Sequence, residues 1–104
     1  ELVSVWHCRF HPTAIMPPQE HKLHVLIAAY AGAEKSILYE RTESGLNEIA
    51  TVTAQQGQVI ELDKDAIHAV VAEGTEPSYA IHVYLGPLKH APARPFYWLH
   101  KYEL

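Results

Sequence analysis

No stretch of this chain keeps a helical apolar period over a useful length. Short runs of β-branched and aromatic residues alternate instead, cut at regular spacing by turns that carry Gly, Pro and Asp. That pattern reads as an all-β sandwich or barrel. Leu2 to Phe10 reads as a strand ended by His11-Pro12, since proline cannot donate to a ladder. Thr13 to Pro18 reads as a loop. Leu23 to Tyr30 is a nearly unbroken apolar run, expected to be a strand buried on both faces. Ala31-Gly32-Ala33 turns the chain into a strand from Glu34 to Arg41, with Ser36, Leu38 and Glu40 on one side. Thr42 to Gly45 is a hairpin loop, and Leu46 to Ala54 pairs back. The aromatic segment Phe96 to Tyr102 is either a last strand or an arm on a partner.

The stretch from Gly57 to Tyr84 carries the clearest organisation. A glycine turn at Gln55-Gln56-Gly57 opens a short strand, an acidic turn follows at Asp63-Lys64-Asp65, and the next strand carries His68. Glu73 to Pro77 then turns into a strand on which His82 and Tyr84 share one face. Ile81, Val83 and Leu85 point the other way. A polar face on an apolar strand pair predicts a lined cavity.

At 104 residues the chain makes one domain, 1–104, with one modest core. Its 48% hydrophobic and 19% charged residues belong to a folded domain and not to a disordered one. The net charge of -4 offers no basic stripe for phosphates, so nucleic acid is not an expected partner. Eight histidines raise the expectation of a metal site, because imidazole is the commonest metal ligand. Cys8 is the only cysteine, which excludes an intrachain disulfide and a thiolate zinc cluster. Cys8 itself reads as a small buried hydrophobe. No apolar run reaches the length of a membrane span and no signal peptide is visible, so no membrane partner and a cytoplasmic location are expected. The chain begins at Glu1, consistent with a piece of something longer.

Two stretches resemble the two sequence motifs of the cupin superfamily. In the second motif, Gly57 and His68 hold the ends at the family's spacing, while Asp63 and Asp65 stand where a proline and a glycine are usual. Both are turn formers, so the backbone logic survives. In the first motif, Gln19-Glu20-His21 ends in the second histidine, Val25 sits at the acid's position, and Gly32 closes it. Within the superfamily the chain resembles the cysteine-dioxygenase-like thiol dioxygenases and their bacterial relatives. Pro17-Pro18-Gln19-Glu20-His21 resembles their Pro-Pro-His-Asp-His, and Ala80-Ile81-His82-Val83-Tyr84 resembles their Ser-x-His-x-Tyr relay.

The resemblance implies a double-stranded β-helix, or jelly-roll barrel. It implies mononuclear Fe(II), with Ni or Zn as occupants after purification, and oxidation of a small thiol to a sulfinate. His21 and His68 would be metal ligands, with Gln19 where the family has its first ligand histidine. Glu20 is the alternative donor, although an extended chain points it the other way. His82 and Tyr84 would be the catalytic pair beside substrate and oxygen.

The departures favour a second outcome, a non-catalytic cupin that binds a small molecule or partner. Gln19 replaces a ligand and Ala80 replaces the relay serine. Val25 stands where the mammalian enzymes of the family have a cross-linking cysteine, so a thioether to Tyr84 is not expected. The family's upstream helical region and its carboxylate-gripping arginine would precede Glu1, leaving Arg9 as the nearby substitute. His82 and Tyr84 also suit a satisfied polar pair in a core. His24 faces either the cavity or the surface, and His7, His11, His90 and His100 read as surface. Trp6, Tyr97 and Trp98 read as core or interface. The aromatic tail and the outward face of Ile81, Val83 and Leu85 predict a homodimer.

Overall fold

The computed structural model describes residues 3–12, 15–20, 22–86 and 97–103. Every regular element among them is a strand: β1 Ser4–Phe10, β2 Ile15–Gln19, β3 Val25–Ala31, β4 Ala33–Thr42, β5 Gly45–Gln55, β6 Val59–Leu62, β7 Ile67–Glu73, β8 Ser78–Tyr84 and β9 Tyr97–Glu103. They form two antiparallel sheets, a five-stranded one in the order β6-β3-β8-β1-β9 and a four-stranded one in the order β2-β7-β4-β5. The pairing is nested: β1 lies on β8, β2 on β7, β3 on β6 and β4 on β5. This is the jelly roll expected of a cupin-type chain, with β9 added along β1. No helix among the described residues is long and apolar enough to cross a membrane.

The core lies between the sheets. Strict alternation builds it, because every second residue of β1 and β8 is buried. Trp6, Cys8 and Phe10 meet Val25, Ile27, Ala29, Leu62, Val70, Ala72 and Ala80 there. Each large apolar side chain so buried contributes about 1.5–3 kcal/mol.

Two expectations change. Leu23 to Tyr30 is not buried on both faces: Val25, Ile27 and Ala29 are buried, while Leu26 and Ala28 are half-buried and Tyr30 is exposed. The apolar run is longer than the buried face because alanines tolerate either side. Thr13 to Pro18 is not all loop either, since Ile15–Gln19 forms β2. Its prolines are tolerated because β2 is an edge strand, paired among the described residues with β7 alone.

The final aromatic segment does form a strand, β9, paired along β1. The turn at Gly32 carries the chain from β3 in one sheet to β4 in the other. Gly32 has φ +70, and a Cβ there would lie 3.0 Å from Ser78 Cα and 3.1 Å from the Pro77 carbonyl oxygen. Both conformation and space therefore require glycine.

Candidate functional site

The inward faces of the two sheets bring polar residues together from distant parts of the chain. On β2, Met16 pairs with Val70 and Gln19 with His68, and the register slips between them. Three steps along β2 thus match two along β7, so Pro17-Pro18 forms a bulge. Without it, Met16 and Gln19 would face opposite ways. With it, both share the inward face of Val70 and His68. Gln19 is half-buried and His68 is 2% exposed.

Glu20 follows the opposite course. Its carboxylate accepts a hydrogen bond from the Arg41 guanidinium and pairs with Lys22 Nζ at 3.2 Å. Those two cations hold its carboxyl below the usual range, Arg41 most strongly. His21 lies outside the described residues, as does the segment from Pro87 to Phe96.

The opposite sheet contributes His82 and Tyr84, both 3% exposed. His82 Nδ1 lies 3.4 Å from the Tyr84 hydroxyl. The other ring nitrogen, Nε2, donates to Glu34 Oε1 at 2.9 Å across the barrel from β4. Glu34 is completely buried. Cys8, on β1, also interacts with the His82 ring. Burial pulls the His82 imidazole down, but Cys8, Glu34 and Tyr84 together push it well above its ordinary value. The ring therefore holds its second proton more tightly than a free histidine does, with the Glu34 carboxyl group opposite it. Burial pushes the Tyr84 phenol up, against the opposing pull of His82.

Sequence reasoning brought out His82 and Tyr84 and missed Glu34. The signal was present. Strand alternation puts Glu34 in phase with Ser36, and an acid in phase with the inward face of a strand is unusual enough to note. Cys8 was expected to be buried and is, at 2% exposure, but its contact with His82 was not foreseen. His24 pairs with Glu61 at 3.1 Å, at the partly exposed outer edge. His7 hydrogen-bonds the Tyr30 hydroxyl, and His11 is exposed. Arg9 hydrogen-bonds the Tyr79 hydroxyl at 3.1 Å, and its guanidinium lies over that ring. Trp6 is core, at 8% exposure.

No three His, Cys, Asp or Glu side chains among the described residues are grouped to hold a metal. The described donors on the inward face of β2 and β7 are one imidazole, His68, and one amide, Gln19. An amide oxygen is a weaker partner for iron than imidazole nitrogen. This donor set fits Fe(II) only with a further imidazole, and His21 is the nearest in sequence.

No protein-family model matches the sequence. No curated protein matches it either. Solved structures resemble it in shape. Drosophila melanogaster CENP-C, in its crystal structure bound to CAL1, matches with a TM-score of 0.64 at 15% identity. That match covers 77% of this chain and 62% of the other, so the chain spans less than two thirds of that CENP-C chain. Protein NMB1881 from Neisseria meningitidis matches with a TM-score of 0.58 at 13% identity, over 78% of this chain and 72% of the other. At such identities the likeness is one of fold.

Proposed function

We propose that this chain is a cupin metalloprotein of the thiol-dioxygenase type, oxidising a small thiol to a sulfinate. One observation carries the reading. Gln19 and His68, far apart in sequence, are cross-strand neighbours on the inward face of the same barrel that buries His82 and Tyr84. Gln19, His21 and His68 would hold Fe(II), and Ni or Zn would compete for the same donors. The iron, when bound, would supply positions for thiol and dioxygen; both oxygen atoms go to sulfur, so RSH and O2 give RSO2H with no further reductant. The chain's own part is to exclude water and to present the His82–Tyr84 pair to the reacting groups. Glu20 is the weaker candidate donor, since Arg41 and Lys22 already engage it. The single reduced cysteine suits a cytoplasmic protein.

A second reading is a non-catalytic cupin that binds a small molecule or a partner. Gln19 and Ala80, each in place of a residue that the thiol dioxygenases use, favour it. The CENP-C chain of similar shape was solved bound to CAL1.

The two separate on metal content and oxygen uptake. Untagged protein is assayed for iron, nickel and zinc, and for oxygen uptake with cysteine and 3-mercaptopropionate. The enzyme reading expects near-stoichiometric iron, lost in His21→Ala and His68→Ala and tightened in Gln19→His. Tyr84→Phe keeps its iron and slows uptake about 10–100-fold. A metal-free folded chain, inert even as Gln19→His, would establish the binder instead.

A homodimer is also proposed, through the outer face of the five-stranded sheet. There Ile81 and Val83 are half-buried and Leu85 is 49% exposed. Light scattering at micromolar concentration is expected to give twice the chain mass. A monomer there would remove the proposal.

A further inference from the structure

We propose that Glu34 is the positioning residue of the His82–Tyr84 pair: its carboxylate fixes the His82 ring and tautomer, and through them the direction of the hydrogen bond to Tyr84. The thiol dioxygenases that the chain resembles support this histidine with a serine hydroxyl, and here that position is Ala80. Glu34 reaches the ring from the opposite sheet instead, at 2.9 Å. The relay deepens the reaction proposed above and rests on it only for its use.

The geometry dictates the proton positions. An imidazole carries its single proton on either nitrogen unless a partner selects one. An ionised Glu34 carboxylate accepts only, so opposite it Nε2 carries a proton. That leaves Nδ1, 3.4 Å from Tyr84 Oη, as the variable site. When Nδ1 is protonated it donates to the phenol oxygen. When it is bare it accepts the phenol proton. One proton on His82 therefore reverses the bond to Tyr84, and Glu34 decides which state prevails.

Stability alone does not account for Glu34. A buried ion pair is often no more stable than apolar residues of the same volume. Glu34 Oε2 is buried with no hydrogen-bond partner among the described residues, as is Ser36 Oγ one step along the same face. An unsatisfied buried polar atom costs stability. The cost is consistent with a residue kept for what it does to His82.

The other titratable groups facing His82 are few. β1 supplies Cys8 and β8 supplies Tyr84. β7 presents His68 on its inward face, while the inward residues of β3 are the apolar Val25, Ile27 and Ala29. The Phe10 ring, 6.0 Å away, keeps the site apolar. Glu34 is thus the one carboxylate acting on this histidine among the described residues.

The test reads the ring nitrogens directly, on the metal-free full chain labelled with 15N-histidine. Long-range proton–nitrogen spectra are followed from acid to alkaline pH. The wild type is expected to lose the Nδ1 proton first and to keep the Nε2 proton that faces Glu34. Glu34→Gln is expected to lower the His82 midpoint by at least about one unit, a tenfold change in proton affinity, and to mix the tautomers. Glu34→Asp should recover part of the shift, a rescue that a merely structural role would not give. If Glu34→Gln fails to fold, the wild type and Glu34→Asp decide alone: a wild-type ring protonated only on Nδ1 overturns the proposal. An unchanged titration in Glu34→Gln overturns it too. Those results in a chain that consumes oxygen would leave the thiol reaction standing. A relay that behaves as expected in a chain inert toward every thiol overturns the reaction and not the relay.

Discussion

Replacing Glu34 with alanine is expected to lower the unfolding free energy by about 3–5 kcal/mol. The substitution removes the carboxyl group that faces an imidazole only 3% exposed and that favours its protonated form. For a domain whose whole stability is about 5–15 kcal/mol, that approaches global unfolding. The loss depends on pH, and its sign follows from His82. Its folded pKa is raised above the ordinary 6.5, because Cys8, Glu34 and Tyr84 outweigh burial. A raised histidine contributes stability that is fully present below 6.5 and is lost as pH rises through the folded value. The Glu34→Ala deficit should therefore be largest on the acid side and shrink in alkali, where the wild type gives up the same proton. Urea unfolding at several pH values measures this. A flat, small deficit would mean that the pair contributes little. Replacing both partners with apolar residues, as Glu34→Met with His82→Leu, should recover most of the lost stability, because no charge is then left buried.

Gly32→Ala is expected to cost about 2–5 kcal/mol. The left-handed backbone accounts for about 1–2 of this. The remainder, about 1–3, comes from crowding against atoms that cannot rotate away. The atoms met are backbone: Ser78 Cα at 3.0 Å and the Pro77 carbonyl oxygen at 3.1 Å. Gly57→Ala provides the control. Gly57 also has positive φ, +87, but a Cβ there meets nothing within 4 Å. It should show the conformational cost alone, about 1–2 kcal/mol. Equal losses at the two glycines would show that the β3–β4 turn gives way without resistance. The turn matters beyond stability, since Glu34 follows Gly32 by two residues and any shift there moves its carboxylate relative to His82.

Much of this was legible in the residues. Alternation along β8 put His82 and Tyr84 on one face, and the turns at Gly32, Gly45 and Gly57 fell where the chain reverses. β2 was less legible. Pro17-Pro18 reads locally as a break, and only edge placement makes it a strand. The same bulge aims Gln19 inward, which a count of alternating positions along the chain does not reveal. Glu34 is the sharper case. Its phase was readable, but a single acidic residue in a strand is ordinarily a solvated one.

What the amino-acid sequence determined by itself is local: strand period, turn positions, and which side chains share a face. His82 with Tyr84 is such a pair, because successive residues of one strand face opposite ways whatever packs on them. What only the tertiary structure decided is which face turns inward and what waits across the barrel. Glu34 meets His82, and Gln19 sits beside His68, because two sheets closed on one core. Burial then made the meeting matter: in water Glu34 and His82 would scarcely affect each other, whereas at 0% and 3% exposure Glu34 helps to raise the proton affinity of His82.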